Sequence, residues 1–327
     1  MTEILAEARR VRRKRDLNQI EIPNDHVKIT DELLGRGGFG AVYLADYNGR
    51  NAAAKVCEIM QIDHALEEDC IHEDGDLGTS SRTKTALFKH QRKAFLMELE
   101  AMMRLRSPHT VNVYGAITTR SDQLVLVMEL LAGGDLRTFL MKSTEQLPEE
   151  RARLIIKDVC AGITFLHSKE TVHGDMKSAN VLFDATGRAK IADFGTSQWM
   201  HHTYATGLVT KTTKASRSTK MSFAWAAPEA RLLQDRVLDA KVPSYASDIY
   251  SYGVVMWEII SRDLPWVKEG GPRGIMARVF RGDRLPIGSH FPADLAEIIQ
   301  VCWLDDPEKR PKASEIMESL KSHYSPP

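Results

Sequence analysis

His173-Gly174-Asp175-Met176-Lys177-Ser178-Ala179-Asn180, followed after a short interval by Asp193-Phe194-Gly195, is the stretch whose reading decides the fold. The interval holds two short apolar runs, 181–184 and 189–192, on either side of Thr186-Gly187, and reads as a β-hairpin. An antiparallel hairpin that leaves from Asn180 returns to Asp193, so both residues finish at one edge. Asn180 brings a neutral oxygen there and Asp193 a carboxylate, hard donors of the kind Mg²⁺ takes beside phosphate and water. Asp175 is placed to orient a hydroxyl and accept its proton, and Lys177 to stabilise a transferring phosphoryl group.

Upstream, Gly35-Arg36-Gly37-Gly38-Phe39-Gly40 matches G-x-G-x-x-G. A dinucleotide-binding loop of that spelling sits between a strand and a helix. Here Val27-Lys28-Ile29 precedes it and Ala41-Val42-Tyr43-Leu44 follows it, both strand-like, so the loop is a hairpin turn able to fold over phosphates. Tyr47-Asn48-Gly49-Arg50 marks a second, two-residue hairpin, since Asn-Gly accepts the positive φ values of a type I′ turn. Three consecutive antiparallel strands follow from these signals. Lys55 ends the third, after Ala52-Ala53-Ala54, where it can reach the α- and β-phosphates. It then needs a carboxylate. Glu98, on a helix spanning 95–106 that Pro108 stops, is the partner; Glu100 lies about 200° further round that helix and is second choice.

Residues 59–90 are acidic and aperiodic and read as a surface insertion, either disordered or a contact for a regulator. A buried strand at 124–131 ends at Gly133-Gly134. Beyond it the chain turns mainly helical. Pro148-Glu149 opens a helix with the stripe Leu154, Ile155, Val159, Ile163 and Leu166, and Ser247-Asp248 opens a core helix apolar on nearly every side.

The 327 residues suffice for two core-forming lobes, and 44 basic residues balance 44 acidic ones, which argues against nucleic acid as a partner. Cys57, Cys70, Cys160 and Cys302 are scattered, without metal-ligand spacing, as in a reducing compartment. No stretch reaches the roughly 18–20 apolar residues that span a bilayer, and the N-terminus is too charged for a signal peptide. The expectation is a cytoplasmic chain, or the cytosolic part of a larger or membrane-anchored protein. The basic run at 9–15 reads as a solvated linker, or as a nuclear signal or acidic-lipid contact through which the chain meets a membrane.

Taken in order, the glycine loop, Lys55, Glu98, the Asp175–Lys177–Asn180 run, Asp193-Phe194-Gly195 and Ala227-Pro228-Glu229 resemble the eukaryotic protein kinase superfamily over 26–322. The resemblance implies an α+β, bilobal protein-kinase-like fold. An antiparallel-sheet N-lobe with one main helix occupies 26–131 and a mainly helical C-lobe 132–322, flanked by a basic extension at 1–25 and a tail at 323–327. ATP is expected in the cleft between lobes, with Mg²⁺, for which Mn²⁺ can substitute, and with protein substrates. By the same resemblance Gly35, Gly37 and Gly40 cover the phosphates, and Val42, Ala53 and Leu182 line the adenine pocket. Met128 is the gatekeeper, and Glu129 and Leu131 bound the hinge. Asp135 either binds ribose or caps the helix that begins at Leu136. Glu229 pairs with Arg310, Asp248 braces the catalytic-loop backbone, and His173 is a spine residue and not a base.

Lys177, two residues after Asp175, resembles serine/threonine kinases. Gly134-Asp135-Leu136 and the run from Phe223 to Glu229 resemble their tyrosine-kinase-like group, with Ser222 where that group usually has threonine. One departure matters. The family's usual His-Arg-Asp is His173-Gly174-Asp175, and the missing arginine is the one that binds an activation-loop phosphate. Gln198 cannot replace it. Thr212, Thr213, Ser216, Ser218 and Thr219 are candidate phosphorylation sites, yet activity is expected not to depend strictly on them. The alternative reading is a catalytically weak pseudokinase acting as an ATP-binding scaffold. Losses at Lys55, Asp175, Asn180 or Asp193 would support it, and all four are present.

Overall fold

The computed structural model describes residues 20–37, 40–58, 99, 102–120, 123–142, 145–194, 223–232, 244–269 and 271–322. Glu98, Glu100, Gly195, Gln198, Ser222, the basic run at 9–15, the acidic stretch 59–90 and the hydroxyls of 212–219 lie outside the described residues. Those described fall into two compact units, 20–104 with 112–130, and 105–111 with 131–322.

The first unit is a five-stranded antiparallel sheet. Its strands are β1 (Val27–Gly37), β2 (Gly40–Tyr47), β3 (Arg50–Glu58), β4 (Val113–Ile117) and β5 (Gln123–Glu129), in the order β1-β2-β3-β5-β4. The Asn-Gly turn forms as expected: Asn48 has φ 52° and Gly49 φ 80°, closing the pair Tyr47 and Arg50. One face of the sheet packs Val27, Ala45, Ala52, Ala54, Ile117, Val125 and Val127 into a core. Helical backbone at Leu99 and 102–104 agrees with the helix expected before Pro108.

β4 has no clear sequence signature. Gly115 interrupts it, and a register shift separates Val113 from Gly115. Tertiary pairing makes it a strand, with β5 on one side and residues 20–22 on the other. The Ile22 N–H donates to the Ala116 carbonyl at 2.8 Å. Glu21 accepts from the Thr118 N–H at 2.8 Å and from its hydroxyl at 2.6 Å. These residues fall in the stretch read as an extension ahead of the domain; here they cover the outer edge of β4, and Ile22 joins the core.

The second unit contains α1 (Leu136–Met141), α2 (Glu149–Ser168), the hairpin β6 (Val181–Phe183) and β7 (Ala189–Ile191), and then α3 (Pro228–Leu232). It continues with α4 (Tyr245–Ser261), α5 (Pro272–Phe280), α6 (Ala293–Cys302) and α7 (Ala313–Ser322). α2 buries Ile155, Val159, Ile163 and Leu166, most of the stripe read from sequence. α4 starts earlier than Ser247-Asp248 suggests, because Ser244 is its cap. Ser244 Oγ accepts the Ser247 N–H, and Ser247 Oγ accepts the Ser244 N–H. Every residue of α4 from Ser247 to Ile260 is buried. No helix among the described residues is long and apolar enough to cross a membrane.

Candidate active site

In an antiparallel sheet, directly paired residues share a face. Val42 pairs with Lys55, Lys55 with Leu126, and Ala53 with Met128. Val42, Ala53, Lys55 and Met128 therefore share one face of the first unit, opposite the core of Ala52, Ala54, Val125 and Val127. Lys55 is only 2% exposed. A buried ammonium needs an anion close by; Glu98, the expected one, lies outside the described residues. Gly35 pairs with Val42 and Gly37 with Gly40, which puts the glycine loop at the β1–β2 turn. Gly40 cannot be replaced: its φ is 141°, and a Cβ there would lie 2.0 Å from the Val56 carbonyl oxygen. The Glu129 carboxylate accepts the Asn112 N–H at 2.8 Å, and the Glu129 N–H donates to the Asn112 carbonyl at 2.9 Å. The side chain of Glu129 thus fixes the end of β5.

In the second unit, Leu131 is half-buried and Leu182 sits beside Asp135 in an isolated antiparallel bridge. Asp135 caps α1: its carboxylate accepts from the Thr138 N–H at 2.9 Å and the Thr138 hydroxyl at 2.7 Å. That is one of the two roles read for it. A ribose would have to share these oxygens with Thr138, a partner the sequence reading does not name.

The β6–β7 hairpin runs as the sequence implies, Val181 opposite Ile191 and Phe183 opposite Ala189. Its two ends are tied where the Ala192 N–H donates to the Asn180 carbonyl at 2.8 Å. Asp193 follows at once with φ 59°, a left-handed conformation that aspartate tolerates better than most residues. Asn180 Nδ2 donates to the Asp175 carbonyl at 2.7 Å and lies 3.3 Å from Asp175 Oδ2. The amide oxygen of Asn180 is left as the donor for a cation. One amide oxygen and one carboxylate, at the tied ends of one hairpin, fit a hard divalent cation that completes its shell with phosphate and water. Lys177 Nζ lies 2.5 Å from Asp175 Oδ2, so a carboxylate and an ammonium are adjacent.

Asp248, 1% exposed at the start of α4, holds this loop. Its Oδ2 accepts the His173 N–H at 2.7 Å, and its Oδ1 accepts the Gly174 N–H at 2.8 Å. His167 Nε2, unforeseen in the sequence, reaches Oδ2 at 3.0 Å. His173 is engaged at both nitrogens: Nε2 lies 2.9 Å from the Ala192 carbonyl, and Nδ1 accepts the Asp175 N–H at 3.2 Å. Donation to a carbonyl fixes the tautomer with the proton on Nε2, and no free nitrogen remains to act as a base. Gly174, the departure from His-Arg-Asp, has φ 80°, which glycine adopts without strain. Below the loop, Arg310 donates to both oxygens of Glu229, at 2.6 and 2.9 Å, as expected. It also donates to the carbonyls of Leu304, Ala246 and Asp305.

Residues 81–320 match the family described as protein tyrosine and serine/threonine kinase. The chain is 31% identical over 313 residues to the probable serine/threonine-protein kinase SIS8 of Arabidopsis thaliana, covering 95% of this chain and 26% of that protein. It is 32% identical over 320 residues to the serine/threonine-protein kinase CTR1 of Arabidopsis thaliana, covering 95% of this chain and 34% of that one. It is also 31% identical over 312 residues to the human mitogen-activated protein kinase kinase kinase 7, covering 93% and 43%. The chain thus spans less than half the length of each of these relatives. With that match over most of its length, the chain belongs to the protein tyrosine and serine/threonine kinase family.

Proposed function

We propose that this chain transfers the γ-phosphoryl group of ATP to serine or threonine hydroxyls of protein substrates. The observation that carries the reading is the gathering of Asp175, Lys177 and Asn180 at one end of the hairpin whose other end is Asp193. Asp175 orients the substrate hydroxyl and takes its proton as the oxygen bonds to phosphorus and the bond to the ADP oxygen breaks. Lys177 neutralises charge on the group in transit. Lys55 contacts the α- and β-phosphates, Val42, Ala53, Met128 and Leu182 receive the adenine, and Asp135 the ribose. Asn180 and Asp193 would hold a divalent cation, Mg²⁺ or Mn²⁺, which when bound offsets phosphate charge. The lysine two residues after Asp175, and the two Arabidopsis relatives named as serine/threonine-protein kinases, support hydroxyls of serine and threonine over tyrosine. Among the described residues, Cys160 and Cys302 are buried free thiols, which supports a cytoplasmic setting.

The test is Mg²⁺-ATP labelling of a generic basic protein with phosphoamino-acid analysis of the product. Phosphoserine and phosphothreonine are expected, and Asp193→Asn should abolish the label. Dominant phosphotyrosine would overturn the specificity. Nucleotide binding without transfer by the unmutated chain would replace the enzyme with a scaffold.

A further inference from the structure

α4 is apolar on nearly every side, yet it buries a carboxylate. Glu258 is 1% exposed among Val254, Val255, Trp257 and Ile259. Replacing a buried charge with a packed apolar side chain is often neutral or stabilising, so stability alone is a weak reason for a glutamate here. Its partners suggest another. One oxygen accepts from the Ser178 hydroxyl at 2.8 Å, and the other from Trp225 Nε1 at 2.6 Å. Ser178 lies in the catalytic loop between Lys177 and Asn180, and Trp225 lies in the segment that leads into Ala227-Pro228-Glu229. α4 also grips Trp225 by its main chain, since Ser251 Oγ donates to the Trp225 carbonyl at 2.9 Å. At 100° per residue, Asp248, Ser251 and Glu258 fall within an arc of about 80°. They form a single polar stripe that holds both segments.

Resting on the kinase reading above, we propose that Glu258 is a positioning residue. Through Ser178 and Trp225 it keeps the catalytic loop in register with the segment before Ala227-Pro228-Glu229. Buried at 1% exposure, it acts through these two neighbours. Ionised, Glu258 accepts from both. Protonated, it must donate from one oxygen, and only Ser178 can receive, because an indole N–H is solely a donor. Protonation therefore reverses the Ser178 hydroxyl, one residue from Lys177. Burial lifts the Glu258 carboxyl to about 7, against the bonds from Trp225 and Ser178 and the field of Arg137 on α1. Arg137 lies over the Trp225 ring at 5.9 Å. The change of state thus falls near neutral pH.

Glu258→Gln reproduces the protonated form, its amide donating to Ser178 and accepting from Trp225; Glu258→Ala removes both bonds. Steady-state kinetics of the full chain on the basic protein substrate should separate them. Glu258→Ala is expected to lose about 10²-fold in kcat/KM, as a misplacement near 1 Å can cost. Glu258→Gln should recover most of that loss and behave at every pH as the unmutated chain does at low pH. Ser178→Ala should flatten the pH profile in the same way, and serves if Glu258→Ala does not fold. Independently of turnover, the Trp225 indole N–H resonance, assigned with Trp225→Phe, should titrate near neutral pH in the unmutated chain and stay still in Glu258→Gln. An indole signal that does not titrate, or a Glu258→Gln as impaired as Glu258→Ala, would overturn the proposal. An unmutated chain that transfers no phosphate overturns the kinase reading instead, and the indole titration still decides whether Glu258 is coupled to Trp225.

Discussion

Asp248→Asn isolates the support of the catalytic loop from its chemistry. Asp248 is buried, and its two oxygens serve three donors: the N–H groups of His173 and Gly174, and His167 Nε2. Asparagine keeps one oxygen and turns the other into an NH₂ group. If the amide oxygen stays where Oδ2 was, the NH₂ faces the Gly174 N–H, donor against donor; the opposite flip confronts His173 and His167 and is worse. The better arrangement leaves one buried N–H unmet, about 1–3 kcal/mol. The surviving bonds also lose their charge assistance, about 1 kcal/mol more. The expected loss is roughly 2–4 kcal/mol, read as a lower urea midpoint at unchanged slope. Because Gly174 directly precedes Asp175, kcat should fall about 10²-fold with the displaced loop. Equilibrium binding of ATP's adenosine moiety should change little, since Val42, Ala53 and Met128 stand on β2, β3 and β5 and the bonds of Asp248 run to His167, His173 and Gly174, not to Leu182 or Asp135. A loss under about 1 kcal/mol with kcat unchanged would refute the reasoning.

Four other expectations follow from the same contacts. Arg310→Met should destabilise more than Glu229→Ala: the first orphans three carbonyls as well as the carboxylate, the second leaves Arg310 with those carbonyls. Both should fall near the 3–5 kcal/mol cost of breaking a buried pair, Glu229→Ala at the lower end because Glu229 is partly exposed; denaturant titration of both and of the double variant checks the order. Gly174→Ala should cost about 1–2 kcal/mol for a left-handed backbone, measured the same way. Glu258 binds a proton more tightly folded than unfolded, its carboxyl standing at about 7 against 4.5. Stability should therefore decline as pH rises from the unfolded value to the folded one, by on the order of 3 kcal/mol at most, and level off above; Glu258→Gln should lack the decline, as melting across pH would reveal. Finally, phosphatase treatment should leave most transfer activity, since Gly174 has no side chain to bind a loop phosphate; full loss would rule this out.

Much of the site was legible because its signals are local. Asn48-Gly49 closes a hairpin through its own backbone preference, and the 181–192 hairpin carries Asn180 and Asp193 to one edge by antiparallel geometry alone. Alternation within Ala52-Ala53-Ala54-Lys55 puts Lys55 on the face of Ala53. Asp135 left two roles open, and the capping bond to Thr138 identifies one that it performs. β4 stayed hidden because Gly115 breaks its pattern, and only the pairing with β5 and with Ile22 makes it a strand. The start of α4 was missed because two serines three residues apart cap each other, and only the backbone shows which lies outside the helix.

The sequence by itself determined the candidate chemistry: which residues are proposed to offer oxygens to a cation, which is proposed to accept a proton, and that glycine stands at 174 where the family usually has arginine. These follow from residue type and from turns that close over a few positions. Only the tertiary structure decided what holds that chemistry in place. His167 meets Asp248 across 81 residues, Ser178 meets Glu258 across 80, and Trp225 meets Glu258 across 33. No local preference encodes such pairs. They form because a buried carboxylate must find donors wherever packing brings them, and α4, buried along nearly its whole length, is where these segments converge.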